Sequence, residues 1–324
     1  VTTISLVLND KANHIPRETK LIIAKAVKEM GYRPNKMAVG LVKKQSNIIG
    51  FVLPDIRNQF FSYTAKVLEH ECHKYDWNLL ICNSDNNHKQ ELKHLKMLCD
   101  YMVDGIFLSM AANSTEKEVE ETINFLEDNK IPYCLIDRDM FDIGKYKISV
   151  DHLQGAYLAT EHLIKLGHKK IGCITGPLIL DDARQRLAGY KQALKDNGIK
   201  IDENLIFEGD YSFEKGKIGC DNLLAKNITA IFAANDFSAM GALASIKEHN
   251  LIVPRDISIV GYDDIAFASL LEVPLTTVRQ PIDAIGQKAT EVINQLVNSE
   301  ENIDSKIIIL EPKLIVRSST KTIS

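Results

Sequence analysis

Polar and aromatic side chains recur directly after short apolar segments of this chain. An asparagine and two phenylalanines follow the first segment, an aspartate–arginine pair follows another, and later segments precede further polar residues. Amide, carboxylate and guanidinium groups hydrogen-bond the hydroxyl edges of a sugar, and aromatic rings cover its apolar faces. The pattern predicts a binding site for such a molecule. Its candidate residues are Asn58, Phe60, Phe61, Asp137, Arg138, Arg186, Tyr211, Asn235, Asp263 and Gln280.

Each of these residues also has an ordinary structural role, which the sequence leaves open. The two phenylalanines would suit a core, and the aspartate–arginine pair would suit a structural ion pair. Asn235 would suit the N-cap of a helix, and Gln280 would suit an exposed surface. The prediction of a ligand site therefore rests on the set rather than on any one member.

The sequence shows no motif that points to catalysis or to a bound metal. It has no phosphate-binding P-loop, no GxSxG nucleophile elbow and no glycine-rich dinucleotide fingerprint. The stretch HECH at 70–73 lacks the HExxH spacing of a zinc-binding helix. We therefore expect a binding protein rather than an enzyme, with no cofactor and no metal.

Strand-like and helix-like segments alternate after residue 47. The apolar segments are NIIGFVLP, NLLICNS, GIFLSM, PYCLIDR, KIGCITG, ITAIFAAN and ISIVGYD, with helical patterns between most of them. This alternation predicts an α/β fold with a doubly wound parallel sheet and helices on both faces. NIIGFVLPD near residue 48 is echoed by KKIGCITGP near residue 170, so we expect two similar lobes. Ligands of such sheets bind at the carboxyl ends of the strands, which places the site between the lobes.

The composition is that of an ordinary globular protein, with 324 residues, 45% hydrophobic and 25% charged. No apolar run approaches the roughly 20 residues of a membrane helix, and no signal-peptide pattern is present, so we expect no membrane partner. The six cysteines have no CxxC spacing. They indicate reduced thiols and a cytoplasmic location.

Charge is distributed unevenly along the chain. Residues 1–46 contain nine Lys or Arg and three Asp or Glu, a net charge of +6. The other 278 residues contain 30 basic and 40 acidic groups, a net charge of −10. A basic head on an acidic body favours a nucleic-acid-binding segment, although a solvated helical face would also carry this charge.

Five stretches of the sequence resemble one known family. TISLVLN, GYRPN, LGHKKIGCITGP, RLAGY and LIVRSST, in this order along nearly the whole chain, resemble the LacI family of bacterial transcription repressors. The resemblance implies two lobes like those of periplasmic binding proteins, preceded by a helix-turn-helix head. It also implies that this head is truncated here, with Val1, Thr2 and Thr3 at base-facing positions of the recognition helix.

The resemblance further implies a hinge helix in the linker after the head. In a homodimer, two such helices pack together in the minor groove of a palindromic operator and kink the DNA. Leu41 corresponds to the wedging residue, with Ala38 beside it. AVGL stands where ARSL is common, and Gly40 weakens the helix by about 1 kcal/mol relative to alanine. A simple flexible linker is the alternative.

The family pattern divides the chain into four parts. Residues 1–34 form the partial helix-turn-helix head, and residues 35–46 form the hinge helix and linker. Residues 47–150 with 281–308 form the N-terminal lobe of the effector domain. Residues 151–280 with 309–324 form the C-terminal lobe.

The ten candidate residues are similar in position to those of the periplasmic ribose-binding protein and the ribose operon repressors. Tyr211 replaces the usual phenylalanine, and Gln59 replaces a proline. The resemblance implies a repressor of a ribose uptake or catabolic operon that leaves its operator when D-ribose or a close derivative binds. Another pentose, a sugar phosphate or a purine remains an alternative effector. A sugar-binding transport or chemoreception protein is the alternative of another class.

Overall fold

The chain divides into two units, a head of residues 1–47 and a body of residues 48–324. The computed structural model describes residues 3, 4, 7, 15–31, 45–138, 141, 143–298 and 306–323. In the head, residues 3, 4 and 7 are helical, and helix α1 spans Arg17–Glu29 directly after Pro16. Proline is well suited to the start of a helix because the first turn leaves its backbone N–H groups unpaired.

Two six-stranded sheets organise the body. The first has the strand order β11-β5-β4-β3-β1-β2, and all its neighbouring strands are parallel. The second has the order β12-β10-β9-β8-β6-β7, in which only the β10–β12 pair is antiparallel. The strands are β1 (Ile48–Leu53), β2 (Asn78–Asn83), β3 (Gly105–Leu108), β4 (Tyr133–Ile136), β5 (Tyr146–Val150), β6 (Ile171–Thr175), β7 (Ile206–Glu208), β8 (Ala230–Ala233), β9 (Ser258–Asp263), β10 (Thr276–Arg279), β11 (Lys306–Leu310) and β12 (Lys313–Ile315).

Helices cover both faces of each sheet, as the sequence predicts for doubly wound lobes. The helices of the body are α2 (Gln59–His73), α3 (His88–Asp100), α4 (Glu116–Asp128), α5 (His152–Lys165), α6 (Asp181–Asp196), α7 (Phe213–Leu224), α8 (Asp236–Glu248) and α9 (Ile282–Asn298). We call the first sheet with α2–α4 and α9 the first lobe, and the second sheet with α5–α8 the second lobe.

Alternation along β1 shows how one strand supports two cores. Ile49, Phe51 and Leu53 pack with α2 and α9 on one face of the sheet, whereas Val52 packs with α3 and α4 on the other. Successive side chains of a strand point to opposite faces, so a strand buried on both sides is almost continuously apolar. Gly50 leaves room for Leu98 of α3, whose Cδ1 would lie 2.6 Å from an added Cβ.

Over the residues that the structure describes, the chain crosses between the lobes three times. It leaves the first sheet after Val150, returns after Arg279, and crosses again between Leu310 and Lys313. The predicted boundary between residues 308 and 309 falls inside β11, so the last crossing comes two residues later than expected. No helix in the described ranges has both the length and the apolar character needed to cross a membrane.

Candidate ligand-binding site

One cavity lies between the lobes at the carboxyl ends of their parallel strands. The volume of this cavity is about 280 Å³, including the part that opens to solvent. The structure brings together all ten residues predicted from the sequence and adds Asp182. The lining consists of Asn58, Phe60, Phe61, Asp137, Arg138, Asp182, Arg186, Tyr211, Asn235, Asp263 and Gln280.

The aromatic wall belongs to the start of α2. Asn58 caps this helix, because its Oδ1 accepts a hydrogen bond of 3.0 Å from the Phe60 amide. The rings of Phe60 and Phe61 meet edge to face, with centroids 5.1 Å apart, and both side chains are buried. They also pack in the core with Phe51. The two rings therefore serve the core and the cavity wall at once.

Asp137 and Arg138 follow β4, at the edge where the sheet meets the cavity. Asp137 adopts a left-handed backbone conformation with φ 67°. Arg138 Nη1 donates to Asn86 Oδ1 at 2.6 Å and to the Met110 carbonyl at 3.3 Å. Asp137 Oδ1 instead faces Nε2 of His152, 3.4 Å away in the second lobe. The two side chains thus turn to different neighbours rather than forming the alternative ion pair.

Arg186 is the buried cation of the second lobe. Its guanidinium carbon lies 4.0 Å from the ring centroid of Tyr262, and its Nη1 donates to the Ala234 carbonyl at 2.6 Å. Its Nη2 lies 3.7 Å from Asp182 Oδ2. Burial disfavours the charge, but the neighbouring tyrosines and carboxylates outweigh it and raise the pKa of Arg186 above its usual value.

Asp263 and Gln280 form a buried pair at the ends of β9 and β10. Gln280 Nε2 donates to Asp263 Oδ1 at 2.8 Å. Both side chains are buried, so the alternative of an exposed Gln280 is wrong. Burial raises the pKa of Asp263 to about 7, although Arg186 and the Gln280 hydrogen bond act in the opposite direction.

Asn235 combines the role of a helix cap with a place in the cavity wall. Its Oδ1 accepts a hydrogen bond of 2.9 Å from the Ser238 amide at the start of α8. Its Nδ2 donates to the Tyr211 carbonyl at 3.1 Å. The capping alternative is therefore correct, and it fixes the amide at the edge of the cavity.

Asp182 lines the cavity and His152 contacts the lining residue Asp137, but neither residue follows a strand, so the pattern of strand ends does not predict them. Asp182 lies in the first turn of α6, where its Oδ2 accepts a hydrogen bond of 2.5 Å from the Tyr211 hydroxyl. His152 begins α5, and its Nδ1 lies 3.1 Å from the Tyr262 hydroxyl. The signal for Asp182 is its position four residues before Arg186, which places both side chains on one face of a helix.

Several polar atoms around the cavity are buried without a hydrogen-bond partner. Buried polar atoms are paired in the great majority of cases, and an unpaired one costs about 1–3 kcal/mol. Half of the ten such atoms in the described residues lie around this cavity, where a polar ligand could supply partners. The atoms are Asp137 Oδ1, His152 Nε2, Asp182 Oδ1, Arg186 Nε and Gln280 Oε1.

The predicted DNA contacts fall mostly outside the described residues. Val1, Thr2, Ala38 and Leu41 lie outside them, while Thr3 is helical and exposed. Within the part of the chain that is described, no three His, Cys, Asp or Glu side chains group closely enough to hold a metal ion.

Comparison with known sequences agrees with this fold. A family profile described as "Periplasmic binding protein-like domain" matches residues 160–320. The transcriptional regulator DegA of Bacillus subtilis is 34% identical over 100% of this chain and 95% of its own length. The transcriptional repressor PurR of Vibrio atlanticus is 32% identical over 100% of this chain and 96% of its own.

Solved structures also resemble this chain. The lac repressor dimer bound to operator and an anti-inducer has a TM-score of 0.84 and 28% identity, covering 99% of this chain and 95% of the other. A LacI-family regulator of Enterococcus faecium with bound ribose has a TM-score of 0.76 and 28% identity, covering 86% and 100%.

The chain belongs to the LacI family of DNA-binding transcriptional repressors, whose effector domain binds a small ligand. These relatives are named as regulators rather than enzymes, which is consistent with the expectation from the sequence. They do not single out ribose, because the curated relatives carry other names.

Proposed function

We propose that this protein represses a ribose uptake or catabolic operon and leaves its operator when D-ribose, or a close derivative, binds between the lobes. The observation that carries this proposal is the composition of the cavity. Two aromatic rings stand on one wall, and amide, carboxylate and guanidinium groups from both lobes surround them. Unpaired buried oxygens and nitrogens give a polyhydroxylated ligand partners on several sides.

Each lobe supplies part of the proposed sugar site. Phe60 and Phe61 cover one face of the sugar, and Asp137 with Arg138 holds one hydroxyl pair from the first lobe. In the second lobe, Asn235 and Asp263 hold another pair. Tyr211 closes the other side of the sugar, and the remaining contacts come from Asn58, Arg186 and Gln280. The ribose bound to the Enterococcus faecium regulator supports a pentose in a cavity of this fold.

The DNA-binding half of the proposal rests on the basic head and on the family. Residues 1–46 carry a net charge of +6, so operator affinity should fall steeply with salt. A homodimer should place two hinge helices on a palindromic operator, with Leu41 of each subunit in the minor groove. The structure of the lac repressor dimer on its operator supports a dimer on DNA. A monomer in light scattering at micromolar concentration would contradict it.

Ribose binding and operator release can be tested with the same set of variants. Isothermal titration should show D-ribose binding that Asp263→Ala and Arg138→Ala each weaken at least about tenfold, because each leaves buried groups unpaired. In fluorescence anisotropy these variants should stay on operator DNA at ribose concentrations that release the wild type. Arg255→Ala is the matched control, since this arginine pairs with Asp256 on the exposed surface.

A purine effector is the second candidate, because PurR is among the relatives. Purine-type members of the family bind DNA more tightly with their ligand, so the direction of the response separates the two candidates. Titration with hypoxanthine, guanine and D-ribose identifies the ligand. Operator affinity that rises with hypoxanthine or guanine, without ribose binding, would replace the ribose proposal and leave the repressor assignment in place.

A further inference from the structure

Asp182 and Tyr211 together form a polar corner of the cavity in the second lobe. The Tyr211 hydroxyl donates to Asp182 Oδ2 at 2.5 Å. The other carboxylate oxygen, Oδ1, is buried and has no hydrogen-bond partner. Asp182 is only 6% exposed. One oxygen of this carboxylate is therefore held by the protein, and the other is buried and unpaired in a side chain that lines the cavity.

The backbone fixes both members of this pair. Tyr211 has a left-handed conformation with φ 69° in the loop after β7, and its ring lies against Gly176. An added Cβ at residue 176 would overlap Cζ of the ring, so the ring occupies space that only glycine leaves free. Asp182 lies in the first turn of α6, where the helix dipole favours a negative charge.

The surroundings keep Asp182 ionised. Burial alone would raise its pKa, but Arg186, His152 and Arg138 outweigh burial and hold the pKa of this carboxyl below its usual value. An ionised carboxylate accepts hydrogen bonds and cannot donate them. A ligand group that meets Oδ1 must therefore carry a hydrogen-bond donor, as a hydroxyl does.

The charges that face the cavity also limit what can bind. Three carboxylates line it, those of Asp137, Asp182 and Asp263, against two guanidiniums. Each guanidinium already directs some of its donors to the protein: Arg138 donates to an amide and a backbone carbonyl, and Arg186 donates to a backbone carbonyl and stacks on a tyrosine. Of the Arg186 nitrogens, Nε is left without a partner. At pH 8, where Asp263 is mostly ionised, a dianionic phosphate in this space would meet more negative charge than positive charge.

We infer that Asp182 is a specificity-determining residue of this site, which accepts a ligand hydroxyl at Oδ1 and selects an uncharged polyhydroxylated ligand over its phosphorylated form. This inference rests on the proposed function, since it requires a small ligand in the cavity between the lobes. It narrows the candidate effectors from sugars and sugar phosphates to neutral sugars.

The inference is tested by titrating the full chain with D-ribose and with D-ribose 5-phosphate. The wild type should bind D-ribose at least about 100-fold more tightly than the phosphate. Asp182→Ala should weaken D-ribose binding at least about tenfold, because Arg186 and the Tyr211 hydroxyl lose a partner together with the ligand. Asp181→Ala is the matched control. The Asp181 carboxylate is more exposed than that of Asp182 and pairs with Arg184, so the affinity for D-ribose should change less than twofold.

The ratio of the affinities for D-ribose and D-ribose 5-phosphate distinguishes a specific role of Asp182 from a merely structural one. Asp182→Asn keeps the shape of the side chain but removes its charge, so the preference for D-ribose over the phosphate should narrow at least about fivefold. General damage to the cavity would weaken both ligands alike and leave that ratio unchanged. Circular dichroism and thermal unfolding establish that each variant is folded. If Asp182→Ala does not fold, Asp182→Asn provides the test.

The possible outcomes distinguish this inference from the proposed function. If the wild type binds D-ribose and both Asp182 variants bind both ligands as it does, the inference is wrong and the sugar-responsive repressor stands. Wild-type binding of the phosphate as tightly as the free sugar also overturns the inference alone. If neither sugar nor sugar phosphate binds, the proposed effector class fails and takes the inference with it.

Discussion

Ligand binding should weaken as the pH falls from 8 to 6, because Asp263 takes up a proton in this range. Burial raises the pKa of its carboxyl to about 7 in the ligand-free protein, against the opposing effects of Arg186 and Gln280. Gln280 already donates to one carboxylate oxygen at 2.8 Å. A carboxylate accepts a further hydrogen bond from a ligand hydroxyl most strongly when it is ionised.

The size of the effect follows from the fraction of ionised Asp263. With a pKa of about 7 this fraction is about 0.9 at pH 8, about 0.5 at pH 7 and about 0.1 at pH 6. The apparent dissociation constant varies inversely with the population of the competent form. The Kd for the ligand should therefore rise about tenfold between pH 8 and pH 6.

Isothermal titration with D-ribose at pH 6, 7 and 8 measures this change. Repeating the titration at pH 7 in two buffers of different ionisation enthalpy should reveal release of about half a proton per ligand bound. Asp263→Asn cannot titrate, so its remaining affinity should be nearly independent of pH over the same range.

A wild-type Kd that stays constant from pH 6 to pH 8, with a binding heat that does not depend on the buffer, would contradict this role of Asp263. Full pH dependence in Asp263→Asn would also contradict it, because another group would then carry the proton.

Four further outcomes follow from the structure. Gly176→Ala should displace the Tyr211 ring and weaken D-ribose binding at least about tenfold by titration, while circular dichroism stays that of the wild type. Phe107→Ala, at a fully buried position, should lower the free energy of unfolding by about 3–5 kcal/mol in urea denaturation. Without ligand, the contribution of Asp263 to stability should fall as the pH rises from about 4 to about 7, because the native carboxyl keeps a proton that the unfolded chain has released. Thermal unfolding should show that Asp263→Asn removes this trend. Leu41→Ala should abolish specific operator binding in anisotropy assays but leave the Kd for D-ribose unchanged, and operator binding like that of the wild type would contradict the wedge assignment.

Much of the body could be predicted because its strands are buried on both faces. A strand such as β1 must be apolar at nearly every position, and this makes it conspicuous in the sequence. The shorter strands β7 and β12, with three residues each, and the edge strand β11, with Ile307 and Ile309 exposed, give no comparable signal. The fold class can therefore be predicted from the buried strands without these three.

The site was predictable where a residue follows a strand, and less so elsewhere. Residues such as Asp137 and Asp263 stand where parallel strands end, and that rule alone brings them to one edge. Asp182 and His152 belong to the beginnings of helices, and the packing of α5 and α6 brings Asp182 to the cavity wall and His152 against Asp137. Besides burial, the groups that shift the pKa of Asp263 include Arg186, Gln280 and Asp137. They come from three distant stretches of sequence, which no local pattern reveals.

The third crossing between the lobes affects how the body can fold during translation. The segment 306–323 adds β11 to one sheet and β12 to the other, and Ser319 hydrogen-bonds both the Ile259 carbonyl and the Thr276 amide. This segment is translated after every other strand of the body. Multidomain chains usually complete their N-terminal domain first. Here each sheet receives one of its strands from this segment, so neither lobe can complete its sheet until the segment has been translated.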